Sequence, residues 1–490
     1  MECKGATLSR DACLLIFEIR FRWVFCQLDT LRQCLPSSVR PTLEQLPESL
    51  DQTYERIVGD IKKANKGQAY RMLQCLAVAI RPLSVAELAE LLAFDFNAAK
   101  GGIPKLNADW RWEDHEQAVL STCSSLITIV PTVDGSVVQF SHFSVKEFLM
   151  SDRLSTLSND ISQYHIVLED ANTLIASACL SVLLPDPIDK SGVATAPLAY
   201  YAAEHWVSHA QVENVASRIR NGMEYLFDAD RPYFSAWLNL YNIDNRGWPK
   251  DLEVQQGASP LYYAALCGFH EIVEDILLKS PTYANAICGS AGTALHAASD
   301  IGHVRVVRSL LKCGVDVNAR GYWGLSPLQL ASVKGHLNVV LCLLDRGAAV
   351  IFQDVYQRTP LVHAIVGGNH EIVRTLLERN ADVDSRDKHG FTVMHWFFRW
   401  DNSKGDFPEI ARLLLKHGAN PNARDNNRRT PLHLVSSWSL VSFRLEVARL
   451  LLAHGADVGA EDVEGETPLQ CALASDQTEL ARLFSEFCSK

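Results

Sequence analysis

Thr430-Pro431-Leu432-His433 occurs in near copies throughout the second half of this chain. The others are Ser259-Pro260-Leu261, Thr293-Ala294-Leu295-His296, Ser326-Pro327-Leu328-Gln329, Thr359-Pro360-Leu361, Thr392-Val393-Met394-His395 and Thr467-Pro468-Leu469-Gln470. Their second positions advance by 34, 33, 33, 33, 38 and 37 residues. Each copy reads as a helix start. Thr or Ser offers an oxygen to an unpaired backbone N–H, and Pro at the first helical position has no N–H to leave unpaired. Small residues follow (Ala297-Ala298, Ala331, Ala364), then a second helix with an aliphatic stripe such as Val304-Val307-Leu310-Leu311, Val339-Val340-Leu343-Leu344 or Ile410-Leu413-Leu414. Gly314, Gly347, Gly418 and Gly455 close these pairs, suited to the left-handed backbone at a helix end. Asp316-Val317-Asn318 and Asn420-Pro421-Asn422 then lead into a projecting turn. A helix pair this short cannot bury its apolar face alone, so the copies must stack.

A period of 33 with this tetrapeptide resembles the ankyrin repeat, with about seven repeats over residues 251–490. The resemblance implies a groove and turn tips that bind other proteins. The longer fifth and sixth steps imply insertions, around Asp401 to Phe407 and around Ser436 to Arg444. Aligned on the motif, groove-facing positions include Trp396, Arg399 and Trp400 in the fifth repeat, and Leu434, Ser437 and Trp438 in the sixth. Tyr322, Trp323 and Tyr356 fall at turn tips. Trp, Tyr and Arg dominate binding hot spots, so these are the candidate partner-binding residues. The alternative for Trp396, Phe397 and Phe398 is that they are bulky core residues filling a distorted repeat.

The histidines repeat with the module. His296, His395 and His433 sit in the tetrapeptide, and His270, His303, His336 and His370 precede the second helix. That recurrence points to structural hydrogen bonding. Neither His270-Glu271 nor His370-Glu371 has a second His four residues on, as a zinc helix would require. No metal site is expected.

The chain has 490 residues, with 46 Lys plus Arg against 57 Asp plus Glu, a net charge of −11. Such a balance disfavours phosphate backbones and anionic lipid, so neither nucleic acid nor membrane is expected as a partner. Thirteen cysteines, none in a CxxC pair, suggest reduced thiols and a cytoplasmic protein. No apolar run is long enough to span a bilayer.

Residues 1–256 lack the period. Ser84-Val85-Ala86-Glu87 and Ser144-Val145-Lys146-Glu147 both read as capping boxes opening helices. Between them, Leu126 to Val130 and Val137 to Phe140 read as strands joined at Asp134-Gly135. Helices, a two-stranded wing and a further helix make a winged-helix arrangement. Its Ser144 to Leu149 helix carries only Lys146, beside Glu147, too little cation for DNA. Helices return from about Asp160 to Asn242, including Ala171 to Leu184 and Ala199 to His209. The expected fold is therefore mostly α. A helical segment (1–75), a winged-helix domain (76–155), a helical linker (156–250) and the repeat solenoid (251–490) follow one another.

Several segments carry a second resemblance. Phe21 to Asp29 and Leu46 to Ile57 resemble the region after the nucleotide-binding core in fungal NACHT proteins. Arg81-Pro82-Leu83-Ser84 and Phe140 to Leu149 resemble the winged helix of that family. Asp228 to Pro232 and Phe234 to Trp237 resemble its linker to the repeats. These proteins are STAND-class, NLR-like signalling NTPases, in which repeats sense a partner and the core switches oligomeric state. The resemblance implies a regulatory and sensor half of such a switch. It offers His142 as a residue that could touch a bound ADP phosphate, against the alternative of a histidine packed between Phe140 and Phe143. A phosphate loop needs a Gly-Lys pair, and this chain contains none. No cofactor and no catalytic activity are therefore expected. Other readings stay open: an ankyrin adaptor with a vestigial first half, or a truncated paralogue or gene model of a NACHT NTPase.

Overall fold

The computed structural model describes residues 49–96, 103–111, 114–123, 125–133, 135–157, 160–184, 196–244, 259–398, 406–437 and 443–488. Met1–Ile19, Phe21–Asp29, Asp134, Arg399, Trp400 and Trp438 lie outside them, as does most of both expected insertions. Two compact units result, Met1–Ile243 and Asp244–Lys490.

The first unit begins with helices Leu50–Gly59 and Lys66–Val78. Ser49 caps the former, its Oγ accepting from the Gln52 N–H at 3.2 Å. Helix Val85–Leu92 follows with the capping box expected of its sequence. The Ser84 N–H donates to Glu87 Oε2 at 2.7 Å, and the Glu87 N–H donates to Ser84 Oγ at 3.2 Å. The hairpin pairs Ile127–Thr132 with Gly135–Phe140 in antiparallel register, Ile127 opposite Phe140 and Thr132 opposite Gly135. A third strand joins it. Leu83–Ser84 pairs with the second hairpin strand, Leu83 opposite Val138, making the sheet three-stranded.

The second capping box does not form. Helix Phe143–Leu149 starts two residues earlier than expected, with His142 rather than Ser144 as its N-cap. The hydroxyl of Ser144 is engaged elsewhere, 2.8 Å from Tyr54 Oη and 2.7 Å from His142 Nδ1. A contact from a residue 90 positions away thus displaces the local cap.

The long helix Leu168–Leu183 packs between Lys66–Val78 and Ala199–Ala210. Its Asn172 Oδ1 meets Nδ1 of buried His209 at 2.7 Å, and His209 Nε2 meets Tyr201 Oη at 2.8 Å. An aromatic cluster of Trp206, Phe227, Phe234 and Trp237 fills the space beside helix Tyr233–Leu240. The Trp237 indole N–H is satisfied by the Ala203 carbonyl at 2.9 Å.

The second unit holds seven helix pairs among the described residues. They are Pro260–Cys267 with His270–Lys279, Ala294–Ile301 with Val304–Lys312, Pro327–Lys334 with Leu337–Asp345, and Pro360–Val366 with His370–Glu378. Val393–Trp396 with Phe407–Lys416, Pro431–Ser437 with Arg444–Ala453 and Pro468–Ala474 with Thr478–Cys488 complete the series. First helices pack on first helices and second on second, giving two layers. The core between them is built from Leu261, Leu295, Leu328, Leu361, Met394 and Leu432 on one side. Val307, Val340, Val373 and Leu414 face them from the other. Gly314, Gly347, Gly418 and Gly455 all take positive φ at the end of a second helix, and Asn380 stands at the matching place in the fourth pair with φ 62. Asn tolerates that conformation better than any other residue with a side chain.

Candidate protein-binding surface

Projecting turns connect the helix pairs of the second unit, and a repeated aspartate shapes them. Asp354, Asp387, Asp425 and Asp462 each stand six residues before the first position of the next helix, and all are buried. Asp425 Oδ1 accepts from the N–H groups of Asn427 and Arg429, both at 2.8 Å. Asp387 does the same with His389 (2.8 Å) and Phe391 (2.9 Å), and Asp462 with Glu464 (2.9 Å) and Glu466 (3.0 Å). Asp354 adds a 2.7 Å bond from Arg358 Nε and a 3.2 Å contact with His363 Nε2. The recurrence of this aspartate at four successive turns is a signal present in the sequence, although Cys288 and Gly321 hold the matching position in the two turns before them.

From the Trp323 tip onward, each tip is tied to the next. The Val355 N–H donates to the Trp323 carbonyl (3.1 Å), Lys388 to Tyr356 (3.0 Å), Asn426 to His389 (3.1 Å) and Val463 to Asn427 (3.1 Å). Successive tips therefore form one continuous hydrogen-bonded edge.

On that edge Trp323 is 46% exposed and stacks on Tyr356 with ring centroids 6.5 Å apart and planes 24° from parallel. Tyr322 and Tyr356 are half-buried. Lys388 Nζ lies 4.4 Å from the Tyr356 ring centroid, and the Arg358 guanidinium 4.8 Å from it on its own account. The structure thus brings Trp323, Tyr356, Arg358 and Lys388 together.

It places two other candidates inside. Trp396 is only 7% exposed, edge-on to Phe391 at 6.2 Å, and Leu434 is 5% exposed. Phe397 and Phe398 are buried as well. That exposure matches the core-filling alternative for the fifth repeat, whose first helix is Val393–Trp396. Arg399, Trp400 and Trp438 lie outside the described residues.

The tetrapeptide histidines hold repeats together. His296 Nδ1 accepts from the N–H (3.2 Å) and hydroxyl (2.8 Å) of Thr293, while Nε2 donates to the Leu325 carbonyl at 2.9 Å in the following turn. His395 reaches the Arg429 carbonyl (3.1 Å) and His433 the Glu466 carbonyl (3.0 Å) in the same manner. With both nitrogens engaged, these rings are neutral and unavailable to a metal. Burial lowers the pKa of His296 to about 4 and that of His395 and His433 in the same direction. Gln329 copies the geometry, its Oε1 taking the Ser326 N–H at 2.7 Å and its amide donating to the Arg358 carbonyl at 2.7 Å. The second set works differently. The His303 Nε2 donates to the Leu266 carbonyl (3.1 Å), and His336 to that of Asp300 (3.0 Å), linking each second helix back to the preceding pair. No group of three or more His, Cys, Asp or Glu able to hold a metal ion occurs among the described residues.

His142, by contrast, belongs to the first unit. Its Nδ1 accepts from the Ser144 N–H at 3.2 Å, and its ring lies 4.2 Å from that of Phe143. There it is a helix cap.

Comparison with known proteins agrees with this geometry. The family model described as ankyrin repeats matches three times, over residues 236–321, 320–387 and 402–489. The second unit is an ankyrin-repeat array. Residues 54–161 match the model described as the winged helix domain of GPI inositol-deacylase. The chain is thus an ankyrin-repeat protein with a winged-helix module. A curated relative, azaphilone pigments biosynthesis cluster protein L of Monascus ruber, is 34% identical over 297 residues, 56% of this chain and 61% of that one. Alpha-latrocrustotoxin-Lt1a of Latrodectus tredecimguttatus is 36% identical over 75 residues, 15% of this chain and 5% of the toxin. The chain therefore spans about three fifths of the first relative's length and a small part of the second's. Among solved structures, the ankyrin repeat domain of Bcl-3, titled a unique member of the IkappaB protein family, is 27% identical with a TM-score of 0.40. It aligns with 46% of this chain and 99% of its own. An ankyrin repeat domain from Acinetobacter baumannii is 31% identical with a TM-score of 0.37, over 40% of this chain and 98% of its own. Among the described residues no helix is long and apolar enough to cross a membrane.

Proposed function

We propose that this chain is a non-catalytic recognition protein, whose ankyrin array grips other polypeptides while the winged-helix module relays or regulates that event. The observation that carries the reading is the continuous edge of turn tips with Trp323 stacked on Tyr356. Rigid aromatics held by a stiff scaffold bind at low entropic cost. The finer reading is the regulatory and sensor half of a fungal NACHT-ankyrin signalling protein, acting in the cytoplasm. Its support is the ordered set of first-half motifs resembling that family, followed by a winged helix and then repeats. In this reading the nucleotide core acts elsewhere, since the chain lacks a Gly-Lys pair.

The test uses the full chain as bait in an extract, beside a chain lacking residues 244–490. Proteins captured only by the full chain support the reading. Equal capture by both, or ATP or GTP turnover by the purified chain, overturns it.

A further inference from the structure

The tip edge is charged as well as aromatic. At the position seven residues before each helix start the chain places Arg320, Gln353, Arg386, Arg424 and Glu461 on successive tips. Lys388 and Arg428 add to the middle of the same edge, and all but half-buried Arg424 among these cations are exposed. Arg358 and Arg429 are neutralised by the turn aspartates Asp354 and Asp425. Arg320, Arg386, Lys388, Arg424 and Arg428 have no carboxylate partner among the described residues. Arg320 donates to the Gln353 carbonyl at 3.1 Å and covers the Phe352 ring at 4.5 Å, so it is held in place without being neutralised. The exposed acids at the base of this stretch, Asp382 and Asp384, are turned to backbone N–H groups, those of Asp384 and Asn420, each at 3.0 Å.

In a chain of net charge −11, this local excess of cations is a segregated patch. Its limits are sharp. One end carries the Trp323–Tyr356 platform, and the other stops at Glu461, Glu464 and Glu466 on the last tip. A helix layer advances about 8–10 Å, so the three steps from the Trp323 tip to the Arg424 tip cover roughly 24–30 Å. An extended peptide at about 3.4 Å per residue fills that with about eight residues.

Resting on the protein-binding reading above, we propose that this edge is a docking site for an extended acidic peptide segment of another protein. An apolar or aromatic side chain of the segment seats on Trp323 and Tyr356. Its carboxylates then follow toward Lys388, Arg386, Arg424 and Arg428. Charge-assisted bonds from arginine to carboxylate are the strong ones, and unpaired exposed cations are free to make them. The glutamates of the last tip repel the acidic tract beyond Arg428 and fix its register. A nucleic-acid strand is the competing polyanion, and the overall negative charge and the glutamate boundary disfavour it.

The experiment selects a random peptide library on the full chain. It counter-selects on a double variant, Trp323→Ala with Lys388→Glu. Synthetic winners are then measured against single variants, with a single-stranded oligonucleotide as rival ligand. The expected winners place Asp or Glu beside an aromatic or large aliphatic residue. They lose about tenfold or more in affinity on Trp323→Ala and on the pair Arg386→Glu with Arg424→Glu. Their affinity falls as salt rises. Unchanged thermal melting of the variants shows that folding is intact. Winners without acidic enrichment, or affinities indifferent to these substitutions, overturn the proposal. So does an oligonucleotide that binds more tightly and depends on the same residues. If extract partners still require residues 244–490 but ignore the tip variants, only this docking site fails. If no partner requires them, the broader reading fails with it.

Discussion

His296 and Leu325 are joined by a 2.9 Å hydrogen bond from the imidazole Nε2 to the backbone carbonyl, across the boundary between consecutive repeats. One side chain therefore caps its own helix and fixes the turn of the next module. Such bonds, repeated by His395 and His433, make the stack cooperative, and they have consequences for pH.

These buried rings bind a proton more weakly folded than unfolded, with His296 near 4 against 6.5 in a free chain. The unfolded chain thus gains protons first as pH falls, so stability is full above about 6.5 and declines toward 4. Each such histidine contributes a slope of at most about 1.4 kcal/mol per pH unit. His296→Gln, which installs the residue already used at Gln329, should flatten the decline while leaving stability at pH 8 nearly unchanged. Urea melts across this pH range check it.

Gly302 and Gly347 share a left-handed backbone, with φ 95 and 85, but differ in surroundings. A Cβ on Gly302 would lie 2.6 Å from His336 Nδ1, whereas on Gly347 it meets nothing within 4 Å. Gly347→Ala should cost about 1–2 kcal/mol, from backbone strain alone. Gly302→Ala should cost roughly 1–3 kcal/mol more, because the ring must leave its bond to the Asp300 carbonyl. Denaturant midpoints of the two variants give the difference.

Gln357 takes φ 61 at the tip position where Gly324, Gly390 and Gly465 take 68, 76 and 79. Gln357→Gly should stabilise the array by about 0.5–1 kcal/mol, the relief of the left-handed strain exceeding the added chain entropy. A rise in melting temperature is the expected readout.

Trp396 and Trp323 should separate by role. Trp396→Ala empties a buried site and should cost about 3–5 kcal/mol. Trp323→Ala, at an exposed tip, should change stability by less than about 0.5 kcal/mol. Thermal melts of both, beside binding to a selected acidic peptide, distinguish scaffold from contact surface.

The repeat array was legible because its signals are local: a cap, a proline and an aliphatic stripe recur at one spacing. Ser84 and Glu87 were legible for the same reason. Ser144 was not, because Tyr54 claims its hydroxyl from far along the chain and His142 takes over the cap. The edge strand Leu83–Ser84 is too short to show any alternation. Trp396 has the type of a contact residue, and its burial against Phe391 is a tertiary fact that residue type does not display. The turn aspartates recur with the module but were not legible as turn builders, because their role lies in backbone N–H groups that no sequence pattern displays.

Cross-linking mass spectrometry on complexes of the full chain, with a lysine-reactive reagent, tests the account most directly. Among the described residues the array offers Lys279, Lys312, Lys334, Lys388 and Lys416, and the first unit offers Lys62, Lys63, Lys66, Lys105 and Lys146. The expected result is partner cross-links concentrated at Lys388, lost when Trp323 and Arg386 are substituted. Partner cross-links confined to the lysines of the first unit would contradict it.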